Sequence, residues 1–371
     1  MQNASGKTVL DDLPESVITR EILLRLPAED ILRCRVVQKS WRHATSTQDF
    51  LLAHHHRQTS LPVIDLIKRE GKMFDRHLFV YTDASHGATS RKLSQQTILW
   101  YPNPCAYKSN LVIHGACDGL LVVSFCDREG YFDVCNPVTR QRAPLPLLPD
   151  DEHGPGICIA GFYQHLASRE YRMLYSIRKS NVVDFHVLAV GYNESRPIKE
   201  PPLQEGLLDR LACSKNAPVL NRGNLHWLLA RYYPRDGSRN IIVFDTEVET
   251  FQWMHSPPSE VWKLTYKIDL SALEAAPQLD LPARTLREIA TLKERELLIE
   301  LRGCALHCDL GGKFLGKMEC DEDKDNRMHI TSFRFQENIV PLPFFGMQED
   351  YGDIRMAEDE GDDEMKYSIW P

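Results

Sequence analysis

The stretch LPESVITREILLRLPAEDILRCRVVQKSWR, residues 13–42, decides how the chain is read. Leu13-Pro14 opens it. Ile18, Ile22, Leu23 and Leu26 then recur at steps of three and four, which predicts one apolar stripe on a helix. Pro27 ends that helix. A second short run carries Ile31 and Leu32, and a third carries Val36, Val37 and Trp41 among basic residues. Three helices this short cannot bury so much apolar surface among themselves. A segment below about 40 residues usually needs a metal, disulfides or a partner to hold together, and neither of the first two is visible. The surplus points to a docking face. The same surface would also suit an ordinary helical hairpin that covers the next domain.

The spacing of Leu13, Pro14, Ile22, Leu23, Arg25, Leu26, Pro27, Ile31, Leu32, Arg33, Arg35, Val36, Lys39, Trp41 and Arg42 resembles an F-box. One departure is Gln38, where many plant members carry a Cys before Lys-Ser-Trp. The resemblance implies a helical module, residues 1–60, that docks on the Skp adaptor of a cullin-RING ubiquitin ligase. The adaptor-binding set it implies is Leu13, Pro14, Ile18, Ile22, Leu23, Leu26, Pro27, Ile31, Leu32, Val36, Val37 and Trp41, with Trp41 as an anchor or as the centre of the three-helix core.

The 371 residues exceed one small core and predict a small module plus a larger domain. A formal charge of −8 argues against nucleic-acid binding through a basic surface. No apolar run approaches the ~18 residues that span a bilayer, and residues 1–15 lack the apolar core of a signal peptide. The expected location is cytoplasmic or nuclear. The cysteines include no C-x-x-C pair, and most lie in apolar runs, as small buried hydrophobes do in a reducing compartment. Cys304 and Cys308 would share one face of a strand while His307 points away. Neither this group nor His54-His55-His56 makes a chelating set, so no metal or cofactor is expected. The three histidines read as a solvated helix end.

From residue 61 the helical period gives way to alternation. Short runs rich in β-branched and aromatic residues, such as LPVIDLI, GLLVVSF, YFDVCN, NIIVFDT and ELLIEL, are separated by Gly, Pro, Asn and Asp. Many strands at regular spacing predict a sandwich, barrel or propeller, and the length favours the propeller. Three uneven repeats support it, starting at His114, at Val219 and at Glu296. Asn136, Asp245 and Asp309 precede the turns, where an Asn or Asp side chain can accept backbone N–H bonds two residues on. Asp118 and Asp133 read in the same way. C-D-G-L-L, N-P-x-T-R, G-x-L-H-W-L and F-D-T-E, in this order, are similar to the F-box-associated domain of plant F-box proteins and, more loosely, to kelch-type blades. The fold expected is therefore α+β multidomain: a small three-helix F-box, then an all-β propeller-like domain over residues 61–345, then an acidic tail at 346–371 too poor in hydrophobes to order itself. Residues 268–290 read as an irregular insertion.

No G-x-S-x-G elbow, P-loop or H-E-x-x-H is present, so the chain reads as non-catalytic. The resemblance implies the substrate-recognition subunit of a SKP-cullin-F-box ubiquitin ligase. Its partners would be the Skp adaptor, through it a cullin, and an unidentified protein target. The alternative is a binding module, on the adaptor or free-standing, that does not direct degradation. Target-binding candidates on propeller loops are Trp100 and Tyr101, and Arg231, Tyr232, Tyr233 and Arg235 in an insertion whose residue types are favoured at interfaces.

Overall fold

A computed structural model describes residues 13–70, 73–83, 93–103, 111–125, 131–148, 157–179, 182–199, 217–228, 240–255, 286–293, 296–301, 304–311, 313–318 and 327–342. The N-terminal part is helical. α1 (Glu15–Val17) runs into a π-helical turn (Ile18–Ile22) and a 3-10 turn (Leu23–Arg25). α2 (Ala28–Val37), α3 (Lys39–Thr45) and α4 (Gln48–Arg57) follow. Pro27 ends the first run as expected and also opens α2, since its fixed φ suits a position next to a helix start. Val36 and Val37 belong to α2 and not to the third helix with Trp41. The break falls at Gln38, which is extended at φ −140° and ψ 130°.

Twenty strands form five antiparallel four-stranded sheets, the blades of a propeller, among the described residues. The second blade is β4 (Leu111–Cys117), β5 (Leu120–Phe125), β6 (Phe132–Asn136) and β7 (Gln141–Pro144). The third is β8 (Ile157–Gln164), β9 (Tyr171–Lys179), β10 (Val182–Ala189) and β11 (Ser195–Pro197). The fourth is β12 (Val219–Asn221), β13 (Asn224–Leu228), β14 (Asn240–Asp245) and β15 (Thr250–His255). The fifth is β16 (Leu286–Lys293), β17 (Glu296–Leu301), β18 (Cys304–Asp309) and β19 (Phe314–Met318). The first blade joins both ends of the domain. β20 (Arg327–Phe335) pairs with β1 (Leu61–Glu70), followed by β2 (Met73–Asp83) and β3 (Leu93–Asn103). The three repeats seen in the sequence are the second, fourth and fifth blades.

The alternation expected of the strands fails in the second strand of a blade, for a physical reason. A blade has neighbours on both faces, so both faces are apolar. In β5, Leu121 and Val123 pack toward the first blade, while Leu120 and Val122 pack toward the third. In β9, Met173, Tyr175 and Ile177 face the second blade and Leu174 faces the fourth. Such strands read as continuous apolar runs.

Blades two, three and four approach so closely that the inner strands carry glycine at an equivalent bulge. A Cβ at Gly115 would stand 2.7 Å from Phe162 Cβ, and one at Gly161 would stand 2.5 Å from Leu225 Cδ1. Residues 286–290, read from sequence as part of an insertion, begin β16; residues 268–285 and the acidic tail lie outside the described residues. Trp100 and Tyr101 lie within β3, opposite His77 and Arg76, and not in a loop. Replacing Gly115 by Val should lower stability by about 1–3 kcal/mol through overpacking against Phe162, read as a drop in the urea midpoint. A midpoint equal to the parent's would show that the joint has slack.

Candidate functional site

The helices do not stand free. Ile18, Leu23, Ala28, Ile31, Phe50 and Leu51 form one buried cluster, and its remaining buried member is Ile339, which follows the last strand. Val138 and Val340 pack against its edge from the propeller side. Arg35 and Arg42 tie α2 to α3. The Arg35 guanidinium donates to Thr45 Oγ1 (3.0 Å) and Thr45 O (2.6 Å), and Arg42 Nε donates to Arg35 O (2.9 Å). Trp41 is half-buried against the same core.

Residues 336–342 form a strap between helices and blades. Gln336 Nε2 donates to the carbonyls of His55 (2.8 Å) and Gln58 (3.0 Å), at the C-terminal end of α4. Glu337 Oε2 accepts from the backbone of Ala28 at the start of α2 (3.0 Å), where an anion also faces the positive end of the helix dipole. Its other carboxylate oxygen accepts from Gln96 Nε2 of β3 (3.2 Å). On the blade side, Asn338 Nδ2 donates to Asp118 O (2.6 Å). Asn136 Nδ2 donates to the carbonyls of Asn338 (2.9 Å) and Val340 (3.0 Å). Gln141 Oε1 accepts from Leu342 N (2.9 Å).

The turn motifs therefore do two tasks. Asp118-Gly119 is a two-residue hairpin turn with φ of 49° and 78°, the positive-φ pair that matches strand twist. A Cβ on Gly119 would fall on the Gln336 carbonyl oxygen and stand 2.8 Å from Asn338 Cβ. Asn136 Oδ1 caps its own turn, accepting from Val138 N (3.0 Å) and Thr139 N (3.3 Å), and Asp245 does the same for Glu247 and Val248. Asp309 caps too, reaching Lys313 N, four residues on (2.9 Å). Asp133 is no turn cap but pairs across strands with Arg142.

Asp118 is not a turn cap either. Its carboxylate lies 3.7 Å from His55 Nε2 and accepts from Tyr171 Oη (3.3 Å). His55 Nδ1 donates to Glu337 O (3.0 Å). Both ring nitrogens thus face acceptors, which suits the imidazolium. Burial alone would lower the His55 pKa; the Asp118 carboxylate and the Glu337 carbonyl outweigh it and raise it. Burial would likewise raise the Asp118 pKa, but the His55 ring and the Tyr171 hydroxyl bring it down.

His54 is buried, with its Nε2 on the Leu26 carbonyl (2.9 Å) and its ring stacked on Phe50. Burial lowers its pKa, so it stays neutral. The histidine run is therefore not a solvated end: only His56 of the three is exposed. The buried pair seals α4 to the strap and to the bend at Leu26. His307 is likewise buried, against Glu296 at 3.0 Å.

The candidate docking residues sort by exposure. Ile18, Leu23 and Ile31 are buried and face the strap's cluster, so they support the module from within. Ile22, Leu26, Leu32 and Trp41 are half-buried. Leu13, Pro14, Pro27, Val36 and Val37 are exposed, and Val36 and Val37 retain 78% and 77% of their accessible surface. One side of the helical surface covers the propeller, as the hairpin reading expects, and the other remains open. Arg231, Tyr232, Tyr233 and Arg235 lie outside the described residues. Gln336, Glu337, Asn338 and Ile339 carried no sequence signal, because each acts on residues far away in the chain.

The helical module and the blades each match a known domain. Residues 10–52 match the F-box domain, and residues 73–281 match the F-box associated beta propeller domain. The chain belongs to this F-box-associated propeller family. Among Arabidopsis thaliana proteins it is 23% identical over 283 residues to F-box/LRR-repeat protein At2g43260, covering 70% of this chain and 59% of that protein. It is 24% identical over 260 residues to F-box protein CPR1, covering 65% of this chain and 59% of that one. Against F-box protein At5g18160 it is 30% identical over 188 residues, covering 50% of this chain and 44% of that one. These matches take in less than two thirds of each relative's length.

The raised His55 contributes stability that is complete below its ordinary 6.5 and is lost as pH rises through its folded value. The lowered Asp118 contributes above its ordinary 3.8 and loses its part only as pH falls through the folded value. Neutral His54 acts in the opposite sense, but only below its ordinary 6.5. Raising pH above 6.5 should therefore weaken the junction of helices and blades. Asp118→Asn should flatten that slope. Thermal melts across this range check it, and an unchanged slope in the variant would place the titration elsewhere.

Proposed function

We propose that the chain is the target-recruiting subunit of a SKP-cullin-F-box ubiquitin ligase. The observation that carries this reading is an F-box module that is completed by its own propeller yet leaves Val36 and Val37 open to solvent on α2. Exposed apolar side chains on a fixed helix suit docking against an apolar surface of a Skp-type adaptor. Through the adaptor the chain joins a cullin. The work is proximity: a target held on the propeller meets the charged ubiquitin-conjugating enzyme as an effectively intramolecular partner. The chain acts as a receptor and supplies no catalytic group of its own.

Strand direction supports a division of ends. The β4–β5 hairpin and the β6–β7 turn hold the strap, so the F-box sits at that end of the ring. The connections β1–β2, β5–β6, β9–β10, β13–β14 and β17–β18, and those between blades, join the opposite ends of the strands. Trp100 and Tyr101 lie toward that end of β3. We assign target binding to that end, away from the adaptor. No helix among the described residues is long and apolar enough to cross a membrane, and the proposed workplace is the cytoplasm or nucleus.

Val36→Asp with Val37→Asp tests the reading. Because both residues are exposed, the double variant should change stability by only about 0.5 kcal/mol per site. Its affinity for a purified Skp-type adaptor should fall at least tenfold. Undiminished binding in a calorimetric titration would rule out this face as the dock. Leu23→Asp and Ile31→Asp are poor tests, since each puts a charge into the shared core and unfolds the module whatever it docks on.

A further inference from the structure

We propose that the strap at residues 336–342 makes folding of the F-box conditional on closure of the propeller, so that an unfinished or opened chain does not compete for the adaptor. The consequence for the adaptor rests on the function proposed above; the coupling itself rests on geometry. The F-box cluster of Ile18, Leu23, Ala28, Ile31, Phe50 and Leu51 is completed by Ile339, which is fully buried in it. Without Ile339 that core lacks one wall, and a module this small has little apolar surface to spare. The strap starts directly after Phe335, and Phe335 pairs with Leu61, four residues beyond the end of α4. Ile339 therefore reaches the helices only when β20 has zipped onto β1, which is also the step that completes the first blade and joins the two ends of the propeller domain.

The contacts at the joint are directional as well as apolar. Glu337 meets the start of α2, Gln336 meets the end of α4, and His55 reaches back to the Glu337 carbonyl. Asn136 and Asn338 fix the strap to the second blade. Every one of these bonds spans a large part of the chain, so none can form while the C-terminal strand is absent. The helices, made before the blades, obtain their last wall from a segment made after the last strand. The same contacts set the orientation of the propeller on the F-box, and with it the place where a bound target is presented.

The test uses the full chain, a version ending after Leu342, a version ending after Phe335, and Ile339→Asp. Two readouts are taken on each: amide hydrogen exchange over residues 18–31 and 48–57, and affinity for a purified Skp-type adaptor. The version ending after Leu342 should match the full chain in both. Ile339→Asp and the version ending after Phe335 should lose at least tenfold in exchange protection over the helices while β5, β9 and β17 stay protected, and should bind the adaptor at least tenfold more weakly. If Ile339→Asp does not yield folded protein, Gln336→Ala with Glu337→Ala removes side-chain bonds without touching the core and should show the same losses in smaller measure. Helices protected as in the full chain after loss of the strap would overturn the proposal. Absence of adaptor binding by the full chain would overturn the ligase reading instead, and the exchange data would still decide the coupling.

Discussion

The pairing of β20 with β1 is the constraint on which the rest of the structure depends. It joins the two ends of a domain whose other blades are each contiguous in sequence, and it buries Ile64 and Ile330 between the second and fifth blades. An open ring would leave two blade faces without a neighbour. Each such face carries several large apolar side chains, at ~1.5–3 kcal/mol apiece for burial. Closure also places the strap. The chain leaves β20 at the end where the F-box enters β1, so ring closure and F-box support are two results of one strand pairing.

The strap is held mainly by side chains that bond backbone. Asn136 and Asn338 satisfy carbonyls that no strand partner reaches, and Gln336 satisfies the last turn of α4. Each such bond contributes only ~0.5–1.5 kcal/mol, but a carbonyl left buried and unmet costs ~1–3 kcal/mol. The set therefore specifies where the segment lies more than it adds stability. Ile339, Val340 and Val138 add the apolar part. This division explains why a docking module and a recognition domain, which could have been joined by a mobile linker, share a core.

Much of the fold was legible because it was written in local pattern. Ile18, Ile22, Leu23 and Leu26 at helical spacing, Pro27 as a stop, and the Asn or Asp before the turns each act on near neighbours. The third blade does not stand out as a repeat because its β8–β9 turn uses His165 and Ser168 rather than the Asp-Gly signature of the second. The first blade could not be seen as a unit at all, since β20 and β1 lie at opposite ends of the domain. Runs such as Leu120–Val123 do not alternate, because they are buried on both faces.

The sequence by itself determined the module order, the helical docking pattern and the all-β character of the remainder, because periodicity and turn chemistry depend on neighbours a few residues away. Only the tertiary structure decided which apolar residues of the F-box are spent inside and which stay open. Ile31 and Val36 look alike in sequence, five residues apart on one helix. Ile31 is buried in the cluster that Ile339, more than three hundred residues later, completes, and Val36 stays exposed. Likewise, Asp118 and His55 read as a turn residue and a helix end until ring closure set them 3.7 Å apart. Contacts of that sequence separation leave no local trace, since each partner is chosen by the fold and not by its neighbours.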